Sequence, residues 1–250
     1  TGQADTNDLS DEGIARAVAR AEEAAKASAP DLEYLPPVAP QPVADAEEFD
    51  PATAGAGPET RAAWIRSAIR VAGDHAPLSG STATTAVARA VANSRGHFAF
   101  PRDTRARFTA TAVAPASTGW AAGQSWRMGE LAPDALARRA AEKARLGARP
   151  RTVEPGTYPV ILEPAAAAEY LSFLLWSTDA KAAEEGRSCM SGKLGTSIAS
   201  PAVTLASDPA FPGCRTAPFL ADGLPVPRTP WIEKGILQNL STSRFWAQKS

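Results

Sequence analysis

A chain of 250 residues with 44% hydrophobic content can bury a sizeable core, which excludes wholesale disorder and fits one large domain or two small ones. Its 26 Lys and Arg nearly cancel its 27 Asp and Glu, so no net field draws it to nucleic acid or to an anionic membrane. Two cysteines, Cys189 and Cys214, are too few for a disulfide framework and match no CxxC metal pattern, and they are read as reduced thiols.

No run approaches the roughly 18 apolar residues of a spanning helix, and the polar opening "TGQADTNDLSDEG" lacks the basic-then-apolar order of a signal peptide. These features predict a soluble, cytoplasmic protein. In the first periodic segment, Ser10 is placed to cap a helix, with Asp11 and Glu12 at its positive end. Ile14, Ala17, Val18, Ala21, Ala24 and Ala25 recur at three- and four-residue steps and form one apolar stripe, and the helix ends before Pro30. The following "YLPPVAPQPVADAEEFDPATAGAGPET" is too rich in Pro and Gly for a helix or central strand and is read as a surface connection.

A second helix is predicted from about Glu59 to Ala72, with Thr60 as cap, Trp64, Ile65, Ala68 and Ile69 buried, and Trp64 as core anchor. From Leu78 the Thr-, Val- and Phe-rich texture predicts a strand meander, with "NSRGHF" as a tight turn between two strands. "ELAPDALARRAAEKARLGARPR" returns to helix, ending near Gly147. "TVEPGTYPVILEP" reads as a strand, Ala165 to Trp176 as an amphipathic helix, and the remainder as short strands of an antiparallel sheet. The predicted fold class is α+β. Residues 1–150 are read as a partial N-terminal α+β domain and residues 151–250 as a partial, β-rich C-terminal domain.

Four blocks then stand in a telling order: "ANSRGHFAF", "VEPGTYPVILEP", "EGRSCMSGKLGTSIASPAVTLASDP" and "IEKGILQNLSTSRFWAQ". Together they resemble the TldD/PmbA family of modulator-of-gyrase or peptidase proteins. The resemblance covers most of the chain from Ala92 onward, and the opening helix resembles the helix that precedes the family's variable middle. Compared with that family, the chain looks truncated at both ends, with sheet edges left uncovered.

In the TldD-like branch of the family, HExxxH lies on a helix after the strand corresponding to Tyr158 to Leu162. Two histidines at that spacing meet one zinc, and the Glu between activates water. The best local match here is Ala168-Glu169-Tyr170-Leu171-Ser172-Phe173, so Glu169 falls at the base position while Ala168 and Phe173 replace both ligands. A solvated helix charge is the simpler role for Glu169. The resemblance therefore implies the PmbA or TldE-like branch, a non-catalytic subunit that assembles with a metal-bearing TldD-like partner and acts on peptides, with no cofactor of its own.

Other chemistry finds little support in the residues. The only histidines, His75 and His97, have no neighbour at ligand spacing and read as loop and turn or strand-edge residues. In "GRSCMSGKLG", Ser188, Cys189 and Ser191 are candidate nucleophiles with Lys193 as their only activator, which sets a stand-alone Ser or Cys amide hydrolase as one alternative. "SGKLGTS" fails the phosphate-loop pattern because Ser191 stands where a Gly is needed, and it reads as a solvated loop. Trp120, Trp126, Trp231 and Trp246 are read as core or interface anchors. A further alternative is a module that binds an extended peptide as an added strand. No residue is assigned as catalytic, cofactor-binding or metal-ligating.

Overall fold

The computed structural model describes residues 1–43, 48–73, 77–213 and 216–248. Helices and antiparallel sheets combine in an α+β fold, built as two compact units. Among the described residues no helix is long and apolar enough to cross a membrane. His75, Cys214 and part of the Pro-rich connection lie outside the described residues.

The larger unit comprises Val38–Phe173 and Lys193–Asn239. Its centre is a three-stranded antiparallel sheet of β1 (Leu78–Ala88), β4 (Arg102–Ala114) and β5 (Ser117–Ser125), in the order β1-β4-β5. Between β1 and β4 lies the small hairpin β2 (Val91–Ala92) and β3 (Phe98–Ala99). The register from Leu78↔Ala112 to Ala88↔Arg102 continues unshifted into Val91↔Ala99 and Ala92↔Phe98, so the four strands form one long ribbon. Its tip is the predicted "NSRGHF" turn: Asn93 N–H bonds the His97 carbonyl at 3.1 Å, and Gly96 adopts φ +82°, which glycine takes without steric cost.

Parity along β4 sets the layers. Ala106, Phe108, Ala110 and Ala112 point to one face and are buried there beneath α3 (Pro58–Ala72) and α4 (Pro133–Leu146). Ala137, Ala140 and Ala144 of α4 are fully buried against this face. Because alanine and glycine leave so little between backbones, the helix approaches β5 closely: a Cβ added at Gly119 would lie 2.0 Å from the Ala140 carbonyl oxygen. Lys143 Nζ donates to the Trp120 carbonyl at 2.8 Å, and the Ser117 hydroxyl donates to the Ala144 carbonyl. Pro133 stands in the first turn of α4, and the helix ends at Gly147 as expected.

Several expectations need correction. Thr60 does not cap α3; the helix begins at Pro58 with Gly57 as its cap residue and no side-chain bond. Of its predicted buried face only Ala68 is buried, Trp64 is half-buried, and Ile65 and Ile69 are 43% and 55% exposed. Tyr158 to Leu162 form no strand: among the described residues no neighbour offers them a ladder, and Ile161 is 99% exposed. The helix α5 (Pro164–Trp176) forms as expected but buries none of its residues, its apolar groups lying all round rather than on one face. A short helix α2 (Pro51–Ala54), capped by Asp50, lies within the segment read as a connection.

The predicted antiparallel sheet near the end of the chain is present as β6 (Leu205–Ser207), β7 (Thr229–Glu233) and β8 (Ile236–Leu237), in that order. The smaller unit comprises Thr1–Pro37, Leu174–Gly192 and Leu240–Ser250. Its α1 (Asp11–Ala27) starts as read, the Ser10 hydroxyl accepting Gly13 N–H at 3.1 Å, and ends before Pro30. The apolar stripe forms but is not buried, Ile14 and Val18 remaining 48% and 53% exposed. Lys181 of α6 (Ala180–Glu184) lies 4.3 Å from the ring of Trp246 on α7 (Arg244–Ala247).

Two consequences can be measured. Gly119→Val should drive a side chain into the α4 backbone and cost at least about 2 kcal/mol, read as a lower denaturant midpoint. Glu163 is held below its usual value of 4.5 by hydrogen bonds from Lys143 and then Arg139. A lowered carboxylate stabilises the fold in full above that usual value, and the contribution is lost as pH falls through the lowered one. Glu163→Gln should therefore lower Tm at pH 7, with the gap from the parent closing in acid.

Candidate functional site

The helix α5 stands where the family resemblance puts a metal-binding helix. Ala168 and Phe173 occupy the two ligand positions, Phe173 is 57% exposed, and Glu169 is exposed, its carbonyl accepting the Ser172 hydroxyl at 2.7 Å. Neither an alanine nor a phenylalanine side chain carries a donor for a metal. Among the described residues, no group of three or more His, Cys, Asp and Glu gathers in metal-binding range. The residues present on this helix do not fit a zinc ion.

His97 is 2% exposed and fills the interior of the larger unit, a buried position where a turn or edge residue was expected. Its Nδ1 accepts Gln41 N–H at 3.4 Å, and its backbone N–H bonds Asn93 Oδ1 at 3.3 Å. Gly223, at φ +85°, packs so tightly on the ring that an added Cβ would lie 2.7 Å from Cδ2. Asn93 Nδ2 also bonds the Val38 carbonyl at 2.9 Å, so this hairpin tip holds the Pro-rich connection in place. The histidine is a structural clamp, fixed on both sides.

The serine candidates are likewise engaged in turn geometry. The Ser188 hydroxyl donates to the Ser177 carbonyl and accepts Met190 N–H at 3.0 Å, and the Ser191 hydroxyl donates to the Ser188 carbonyl at 2.7 Å. Both protons serve backbone carbonyls, and no histidine or carboxylate accepts them. Cys189 is exposed and free. Lys193 belongs to the larger unit, where its carbonyl closes a turn with Thr196 N–H at 2.9 Å.

The tryptophans divide. Trp231 Nε1 donates to Ser207 Oγ at 2.7 Å and anchors β7 to β6, whereas Trp126 lies beneath the Arg127 guanidinium at 3.8 Å. Trp246 meets Phe245 edge-on, while Trp120 is 43% exposed on the uncovered face of the sheet.

A cleft that the sequence reading missed lies where β4 runs past the end of β5. There Glu48 to Asp50 take the place of β5: Thr104 N–H bonds the Glu48 carbonyl, and Asp50 N–H bonds Thr104 Oγ1, both at 2.9 Å. The cleft encloses about 230 Å³ and is lined by Glu48, Arg89, Arg102, Asp103, Arg105 and Gln124, among others. Arg89 pairs with Asp103, Arg102 stacks 4.6 Å from the Phe49 ring, and Glu48 Oε1 accepts Gly213 N–H at 3.0 Å. Asp50 is held below the usual carboxylate range first by the Thr53 hydroxyl.

Comparison with known proteins agrees with this fold. Residues 36–147 match the central domain, and residues 155–250 the C-terminal domain, of PmbA/TldA metallopeptidases. A metalloprotease of Methanothermobacter thermautotrophicus is 30% identical over 115 residues, which are 46% of this chain and 25% of that protein. TldE from Thermococcus kodakarensis superposes with TM-score 0.80 at 20% identity, over 99% of this chain and 58% of that one. Proteins of Bacteroides thetaiotaomicron and Thermotoga maritima, both named for modulation of DNA gyrase, give TM-scores of 0.84 and 0.81 at 18% and 17% identity. They are matched over 98% and 94% of this chain and 59% and 56% of their own length. This chain thus spans about a quarter of the metalloprotease and little more than half of each solved relative. The two domain matches, in order and covering most of the sequence, place the chain in the TldD/PmbA family.

Proposed function

We propose that this chain is a TldE/PmbA-like subunit, itself non-catalytic, that assembles with a metal-bearing TldD-like relative in the cytoplasm to process or degrade peptides. The observation that carries this reading is the chemistry of α5. Peptide hydrolysis at neutral pH needs a water of lowered pKa or an activated nucleophile. Ala168 and Phe173 withhold ligands for the first, and Ser188 and Ser191 spend their protons on backbone carbonyls. The likeness in fold to TldE from Thermococcus kodakarensis supports the same reading.

The chain alone should hydrolyse no peptide from a mixed library. Ala168→His should add neither activity nor retained zinc, because Phe173 still denies the helix its second ligand. Co-purification with histidine-bearing relatives, followed by peptidase assays with and without chelator, should yield chelator-sensitive activity only in the complex. Chelator-insensitive hydrolysis by this chain alone would overturn the reading and return attention to Cys189 and Ser191.

A further inference from the structure

The cleft where β4 outruns β5 is built on fixed groups. Thr104 in its lining is 2% exposed, and its hydroxyl donates to the Trp126 carbonyl and accepts Asp50 N–H, both at 2.9 Å. Glu48, equally buried, gives Oε1 to Gly213 N–H, and Asp103 is held by Arg89. Both carboxylates of the lining are thus engaged by donors of the protein itself. Against these two acids the lining carries three guanidiniums, those of Arg89, Arg102 and Arg105, so the cleft keeps one positive charge in excess.

Arg105 is where that excess is available. Arg89 is spent on Asp103 and Arg102 lies against the Phe49 ring, whereas among the described residues no acceptor meets the Arg105 guanidinium. The side-chain amide of Gln124 is likewise unengaged among the described residues. The register sets Gln124 opposite Arg107, which makes it the diagonal neighbour of Arg105 on the same face, within the reach of long side chains. A free cation and a free amide therefore stand side by side in one cleft.

The chemistry of a ligand follows from these groups. One excess positive charge matches a monoanion, whereas a phosphate group brings up to two negative charges and would leave one unmatched. A planar guanidinium fork fits a carboxylate with two parallel hydrogen bonds. The Gln124 amide offers both a donor and an acceptor, which are the two functions of a peptide group. At about 230 Å³ the cleft falls below the roughly 300 Å³ at which pockets for drug-sized ligands begin, so it suits the end of a chain and not its passage.

We propose that this cleft receives the C-terminal end of a peptide, with the carboxylate on Arg105 and the last peptide group on Gln124. That the anion belongs to a peptide rests on the role proposed above; the charge and the volume of the cleft do not. Both contacts are to main-chain groups, so the site accepts varied sequences that end in a small residue.

N-acetyl-trialanine, its C-terminal amide, acetate and inorganic phosphate are the probes, each titrated into the isotope-labelled chain and followed by NMR. The free acid should shift the Gln124 side-chain amide and the Arg105 signals saturably, and the amidated peptide should bind at least about tenfold more weakly. Arg105→Ala should weaken the free acid by a similar factor. Gln124→Ala should weaken the peptide without altering the response to acetate, and Arg66→Ala, on α3, should change neither. Acid and amide binding alike would overturn the proposal, as would Arg105→Ala with the parent's affinity. Acetate or phosphate binding as tightly as the peptide reduces the cleft to a bare anion site and overturns it too, and so does a free acid that gives no saturable shift by about 20 mM. The comparison of acid with amide needs no variant, so poor folding of Arg105→Ala leaves the question decided. Binding is read on the chain alone, which keeps its failure distinct from a failure to assemble with a TldD-like relative.

Discussion

The near-contact of backbone with backbone where α4 crosses β5 is the constraint on which the larger unit depends. Helix and sheet ordinarily stand apart by the depth of their side chains, and here glycine on one side and alanine on the other remove most of that depth. Gly119 admits the Ala140 carbonyl, and Ala137, Ala140 and Ala144 leave no side chain large enough to hold the layers apart. Close approach lets Lys143 and Ser117 bridge helix and sheet through carbonyls, bonds that a wider spacing would break. The same lysine also joins Arg139 in holding Glu163, so the chain leaving α4 is secured to the helix it has just left.

From that layer the rest of the unit follows by strand length and parity. Because β4 is longer than β5, its first residues need another partner, and Glu48 to Asp50 supply one. The cleft forms at this exchange of partners, where a strand end, a loop and the ribbon's base bring Arg89, Arg102 and Arg105 near Glu48 and Asp103. The ribbon's far end does different work. There His97 and Asn93 turn a hairpin tip into a fixed mount for the start of the Pro-rich connection, through Gln41 and Val38.

What was legible in the sequence was whatever local chemistry decides. Ser10 announced α1, Gly147 marked the end of α4, and Asn93 with Gly96 marked the turn, because caps and tight turns act within a few residues. The family was legible from ordered blocks, and its two domain matches bear that out. The buried face of α3 was misread because periodicity shows that a stripe exists without showing what covers it; α4 takes the side bearing Ser67, and Ile65 and Ile69 remain outside. Tyr158 to Leu162 have strand-forming residues, but a strand needs a neighbour, and sequence pattern contains no information about one. The cleft was illegible for a similar reason: Glu48 and Arg105 are far apart in the chain and meet only through the pairing of Glu48 to Asp50 with β4.

Parity links these observations to the open side of the sheet. Along β4, Ala106, Phe108, Ala110 and Ala112 belong to the helices, while Arg105, Arg107 and Val113 belong to the uncovered face. A slip of one residue between β1 and β4 would exchange the two sets, burying arginines against an alanine-lined helix with no acid to meet them, at a cost no ladder bond offsets. The ribbon register is therefore fixed by the core, not by the edge. Small, uncharged residues fill β1 because its neighbours on both faces already supply the bulk and the charge: Phe108 and the α3 isoleucines beneath, Arg105 and Arg107 above.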